Sequence, residues 1–266
     1  MIEALVLATG LATVLILVIR LLSFPKIVKE YGLNPRFIAD ALTRTHVKNT
    51  TYNAFKFEKD RFPTEHSGDV LYYVEPERLF AENYHDLDTL CDLVVRDLKK
   101  LDFDCLVGIP LSGSHLGVLV AHKLKKPFAA FGFEIPITRT PKEPYEIVVG
   151  YNLKRNQTAL VFDDTSVSGV GLAEACISLR KLNIEVCDAY AIVDKEEGAK
   201  ENLASMNIKL HSLISASTLI DILRKQGKIG EEEYKMIMED MVKRQSKNLE
   251  EFKRKMEAFI SKPSFS

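Results

Sequence analysis

From residue 70 to residue 194, short apolar runs alternate with stretches of helical periodicity, and this alternation limits the possible folds more than any other feature of the chain. "DCLVGIP", "PFAAFGF", "TALVFDD" and "EVCDAYAIVD" read as strands, and "DLDTLCDLVVRDLKKL", "SHLGVLVAHKL" and "GLAEACISLRKLN" read as helices. "VLYYVEPERLF" and "EIVVGYNLK" read as extended segments, the second hairpin-like. Strands that alternate with helices predict an α/β domain, a largely parallel sheet flanked by helices, because parallel neighbours need a crossover between them. In such sheets ligands bind outside the carboxyl ends of the strands.

One of these carboxyl ends carries unusual chemistry. In "ALVFDDTSVSGVGLAEA", Leu160, Val161 and Phe162 form a strand buried on both faces, Asp163 and Asp164 follow at its edge, and a turn of small residues leads into a helix. A small-residue loop ahead of a helix leaves backbone N–H groups to converge on an anion, and the helix dipole adds up to about 2 kcal/mol in favourable geometry. Adjacent carboxylates repel such an anion unless they face a neutral polyol or a metal ion held by the same ligand. A sugar phosphate meets both demands. An isolated acid pair can simply cap and solubilise a turn; here the order of strand, acids, Ser168-Gly169 and helix favours a ligand.

Composition narrows the partners. The 36 Lys and Arg residues balance 37 Asp and Glu residues, so no strong net charge points to nucleic acid, and 266 residues suit one sizeable domain with appendages. Cys91, Cys105, Cys176 and Cys187 show no paired C-x-x-C spacing and read as reduced thiols of a cytosolic compartment. The N-terminus differs in kind. "ALVLATGLATVLILVI" is uncharged from Ala4 to Ile19, and the apolar character continues to Phe24. Roughly 20 such residues match a hydrocarbon core of about 30 Å, so residues 1–24 are expected to form a transmembrane segment. Glu3 stands where a signal peptide needs a basic start, and Arg20, Lys26, Lys29 and Arg36 crowd the far flank, which places the rest of the chain in the cytoplasm as a single-pass protein. A buried or interfacial helix is the alternative, since Thr9, Gly10 and Thr13 weaken the segment. Residues 25–54, with an Asn34-Pro35 turn, read as a helical connector that lacks the second clean amphipathic helix of a DNA-reading unit.

The strand, acid pair, small-residue turn and helix resemble the 5-phosphoribosyl-1-pyrophosphate (PRPP) motif of type I phosphoribosyltransferases, more particularly of orotate phosphoribosyltransferases. The resemblance extends from about Phe55 to Lys228, and the domain is taken as residues 55–228. "HSGDVLYYVEPERLF" is similar to the family's opening segment and "VGIPLSGSHLGVLVAHKL" to its pyrophosphate loop and following helix. "VDKEEGAKENLASMNIKLHSLISASTLIDIL" is similar to its closing strand, helix and final strand. The resemblance implies that Asp163 and Asp164 face the ribose hydroxyls and take part in catalysis. It implies that Val167, Ser168, Gly169, Val170 and Gly171 hold the 5′-phosphate, and that Pro110, Leu111, Ser112 and Gly113 meet the pyrophosphate. No metal ligand is expected from the protein itself; magnesium would come bound through PRPP. A homodimer is implied, with Arg139 and Lys142 of the loop "EIPITRTPKEPYEIVVG" reaching the departing pyrophosphate of a neighbouring subunit.

The chain departs from the family in places that bear on the base. The loop matching the one that completes the family's site lacks the usual His-Gly and holds Pro136, Pro141 and Pro144. The family's orotate-binding lysine and arginine have no counterparts: the opening segment reads Gly68, Asp69, Val70, Leu71, Tyr72, and Ala173 takes the helix position. Val167 and Gly171 replace hydroxyl residues. Each lost charge-assisted contact is worth about 1.5–3 kcal/mol, so orotate is expected to bind weakly. Tyr72 and Tyr73 are candidates to stack on a base or to pack in the core. Residues 229–266 read as a charged helical tail, solvated or packed against a subunit, whose Lys243, Arg244 and Lys247 could also touch anionic lipid. The expected function is transfer of phosphoribose from PRPP to a nucleobase; the alternative is a catalytically silent PRPP-binding or regulatory protein tethered to the membrane.

Overall fold

The computed structural model describes residues 37, 39, 40, 55–62, 70–74, 76, 84–132, 146–150 and 153–261. In chain order the elements are β1 (Phe55–Phe62), β2 (Val70–Val74), α1 (Tyr84–Leu98), β3 (Cys105–Gly108), α2 (Ser112–Leu124), β4 (Phe128–Gly132), β5 (Glu146–Gly150), β6 (Thr158–Ser166), α3 (Val170–Lys181), β7 (Glu185–Asp194), α4 (Ala199–Ala204), β8 (Lys209–Ser215), α5 (Ala216–Lys225) and α6 (Glu231–Ile260).

Strands apolar on both faces need cover on both faces, and the sheet is built accordingly. Its order is β5-β4-β3-β6-β7-β8. The five strands from β4 to β8 in that order are parallel, and β5 lies antiparallel to β4 at the edge, as the hairpin-like reading of its sequence implied. Leu106, Leu160, Phe162, Tyr190 and Ile192 point into a cluster with Leu90 and Val94 of α1, Leu116 and Val120 of α2, and Leu219 and Leu223 of α5. The alternate residues Cys105, Val107, Ala159, Val161, Ala189 and Ala191 enter a second cluster with Leu172, Cys176 and Leu179 of α3 and Leu203 of α4. β1 and β2 form a separate antiparallel pair. All four cysteines are free thiols, with Cys91, Cys105 and Cys176 buried and Cys187 exposed.

The expected tail is instead a structural member. α6 runs 30 residues, begins with Glu231, Glu232 and Glu233 at the positive end of its dipole, and has its Gly230 N–H bonded to the Glu233 carboxylate. Ile237 and Met241 enter the first cluster, whereas Phe252 and Met256 enter the second. A charge-rich sequence hid this because only a few of its residues turn inward. The connector also reaches the domain, since Ala39 is buried in the first cluster and Asp40 accepts from Gln226 Nε2 at 2.8 Å. Among the described residues no helix is long and apolar enough to cross a membrane. The apolar segment 1–24, on which the membrane expectation rests, lies outside the described residues.

Candidate functional site

The chain leaves β3 toward β4 on one side and returns to β6 on the other, so the strand order reverses between β3 and β6. Open α/β sheets bind ligands in the crevice at such a switch point. The two loops that leave these strands are the ones singled out in the sequence. Ile109 N–H donates to Phe162 O at 3.0 Å, which lays the start of the expected pyrophosphate segment against the strand of the acid pair. Gly113, in the first turn of α2, lies so close that a Cβ there would stand 2.6 Å from Phe162 O and 3.0 Å from the Asp163 Cα. A cis peptide joins Pro110 to Leu111, and Leu111 is exposed.

β6 continues beyond the acids, where the sequence suggested a turn. Thr165 pairs with Val193 and Ser166 with Asp194, because β7 runs alongside for the same length. Asp163 and Asp164 are therefore held half-buried within a paired strand, and Asp164 N–H donates to Asp163 Oδ1 at 2.9 Å. The small-residue loop follows. Gly169, at φ 77°, caps α3, and its carbonyl accepts from Ala173 N–H. That left-handed conformation is one an L side chain rarely takes, which explains glycine at this position.

A turn behind the loop supplies a layer that sequence reasoning missed. Lys195 N–H donates to Ser166 O at 2.9 Å, Ala199 N–H to Val167 O at 3.1 Å, and Asn202 Nδ2 to Ser168 O at 2.9 Å. Asp194 accepts from Glu196 N–H and from the Ser166 hydroxyl, and burial pushes its carboxyl up from the ordinary value against those bonds. Burial likewise pushes the Lys195 ammonium down, opposed by the Glu197 carboxylate. The signal for this layer was present as "VDKEEG", three acids and a lysine at the end of an apolar strand.

The remaining candidates fall elsewhere. Tyr72 is 1% exposed, with Lys195 Nζ 4.3 Å from its ring centroid, so it packs inside the protein instead of offering a face to a base. An aromatic residue in an apolar strand gains more by burial than by exposure. Ala173 is 0% exposed within the second apolar cluster, so the position is filled by core packing. The Tyr73 side chain, Asp69, Arg139 and Lys142 lie outside the described residues. Among the described residues no three His, Cys, Asp or Glu side chains gather to hold a metal ion.

No protein-family model matches the chain. Individual relatives do. It is 31% identical over 173 residues to the orotate phosphoribosyltransferase of Staphylothermus marinus, covering 64% of this chain and 81% of the relative. It is 29% identical over 172 residues to that of Saccharolobus solfataricus, covering 65% and 84%. Among solved structures, orotate phosphoribosyltransferase from Aeropyrum pernix aligns with a TM-score of 0.52 and 21% identity over 71% of this chain and 99% of that one. UMP synthase of Leishmania donovani aligns with a TM-score of 0.64 and 18% identity over 78% of this chain and 42% of that one, a likeness of fold. The chain belongs to the type I phosphoribosyltransferases, within the orotate phosphoribosyltransferase family.

Proposed function

We propose that this chain binds PRPP with magnesium and transfers its phosphoribosyl group to a nucleobase. The observation that carries the reading is the convergence of two segments, 109–113 and 163–171, at the switch point, tied by the Ile109 N–H bond to Phe162 O. Asp163 and Asp164 would accept hydrogen bonds from the ribose hydroxyls. The loop from Val167 to Gly171 has carbonyls bonded from behind at Val167 and Ser168, which favours N–H groups in front for the 5′-phosphate, beside the Ser168 hydroxyl. The backbone from Pro110 to Gly113 would meet the pyrophosphate, with Gly113 allowing close approach.

In this reading the metal ion arrives with the substrate, and Asp163 and Asp164 face the sugar beside it. Bound through the pyrophosphate oxygens, magnesium would neutralise charge that develops as the bond between the anomeric carbon and pyrophosphate breaks. The base nitrogen forms the new bond to that carbon, pyrophosphate departs with the magnesium, and the proton of the base nitrogen passes to solvent. For the protein this leaves positioning and charge stabilisation, with Arg139 and Lys142 proposed to reach the leaving group.

The relatives are named for orotate, so orotate is the first acceptor to test, alongside uracil and the purine bases. With Asp69 where a cation is expected, orotate should turn over slowly. PRPP consumption with magnesium decides between this reading and a silent PRPP binder, which would bind without turnover. Asp163→Asn with Asp164→Asn should weaken Mg-PRPP binding about tenfold or more, since contacts to charged groups are worth about 1.5–3 kcal/mol each. Unchanged affinity in a folded double variant would overturn the assignment.

A further inference from the structure

A buried charged cluster lies next to the site and has no place in the chemistry above. Glu197 is 0% exposed, with Lys195 Nζ 3.4 Å from its Oε1 and Arg244 Nη1 3.7 Å from its Oε2. Arg244 Nε donates to Asp240 Oδ2 at 3.0 Å, and Asn248 Nδ2 donates to the Glu197 carbonyl at 2.9 Å. The cluster therefore joins the turn after β7 to the middle of α6, and Lys195 extends it to Tyr72 on β2. Buried ion pairs are weak sources of stability, because desolvation offsets their attraction; fixing one arrangement is their better-attested use.

What is fixed here is the support of the phosphate loop. Lys195, Ala199 and Asn202 bond to the carbonyls of Ser166, Val167 and Ser168. A Cβ on Gly169 would stand 3.2 Å from Ala199 Cα, so the loop rests directly on this turn. A Cβ on Gly198 would stand 3.6 Å from Gln245 O and 3.8 Å from Asn248 Cβ, so the turn rests directly on α6. Contact is continuous from α6 to the loop, with a hydrogen bond in each layer.

We propose that α6 is the buttress of the phosphate loop, and that Arg244, Glu197 and Asn248 are positioning residues for the anion the loop binds. This rests on the reading of the loop as a phosphoribosyl site. An anion-binding loop works by holding its N–H groups within about 0.5 Å of their working positions before the ligand arrives. A loop that must be ordered during binding loses affinity by the free energy of that ordering.

The test uses the full chain with Asn248→Ala, Arg244→Met and Arg244→Lys. Amide hydrogen exchange reports residues 166–171 and, as a control, β3, while calorimetry gives the affinity for Mg-PRPP. Asn248→Ala leaves every charge in place and so remains informative if Arg244→Met does not fold. Asn248→Ala and Arg244→Met should speed exchange in the loop roughly five- to tenfold, leave β3 unchanged, and weaken Mg-PRPP by a similar factor, with Arg244→Lys recovering part of both. Exchange that is unchanged, or faster throughout the molecule, would overturn the proposal, as would a faster-exchanging loop with unaltered affinity. If wild type fails to bind Mg-PRPP while exchange rises in the loop alone, the buttress stands and the phosphoribosyl reading falls.

Discussion

Asp194 ties the end of β7 to Ser166 and to the following turn, and its burial gives the protein a pH signature. A carboxyl raised in the folded state contributes stability that is complete below its unfolded value and is lost as pH rises through its folded value. Asp194→Asn keeps an oxygen for the Glu196 N–H and Ser166 hydroxyl but has nothing to ionise. Denaturant unfolding of both proteins from acid to neutral pH should therefore show the variant gaining on wild type as pH rises, then a constant difference. A second single-residue test follows from Ala173, which is enclosed by the second apolar cluster. Ala173→Arg would force a cation and its stem into that packing, so thermal unfolding should report a loss of about 2 kcal/mol or more, with no gain in orotate affinity. A folded variant that binds orotate more tightly would show that the position opens on the base after all.

At the scale of elements, the first turn of α2 is locked against β6 by Gly113. Alanine there would gain about 1 kcal/mol of helix propensity, but its Cβ would meet backbone atoms of Phe162 and Asp163 at 2.6 and 3.0 Å, and backbone cannot swing aside as a side chain can. The clash should win. Gly113→Ala is expected to lower unfolding free energy by about 1–3 kcal/mol and to weaken PRPP binding, measured on the same preparation. The strands were legible because each apolar run is bounded by Gly, Pro, Asp or Asn, and the crossover helices because their periodicity is local. The convergence of 109–113 with 163–171 could be foreseen from parallel topology. The turn from Asp194 to Asn202 could not, since its importance depends on partners such as Asn248, 51 residues from Glu197 in sequence, and no local period marks such a pairing. Tyr72 was ambiguous for the same reason, its neighbour Lys195 lying on a distant strand end.

At the scale of the whole molecule, the domain and the uncharged N-terminal run make separate demands on their surroundings. The stretch from Ala4 to Ile19 is expected to carry the full chain into the membrane fraction, while a chain beginning at Pro25 stays in the supernatant; full-length protein recovered without detergent would refute this. α6 has a different reach, serving the apolar clusters on both faces of the sheet while passing the turn behind the 166–171 loop. Chains are synthesised from the N-terminus, at about 5–20 residues per second. Asp163, Asp164 and the loop therefore leave the ribosome before Arg244 and Asn248 exist. For that interval the nascent chain carries every strand of the sheet in its sequence but lacks the helix proposed to support the loop. On the buttress proposal, a chain terminated before Glu231 lacks the residues that enter both clusters from α6 and the Asn248 bond to Glu197, and should bind Mg-PRPP poorly.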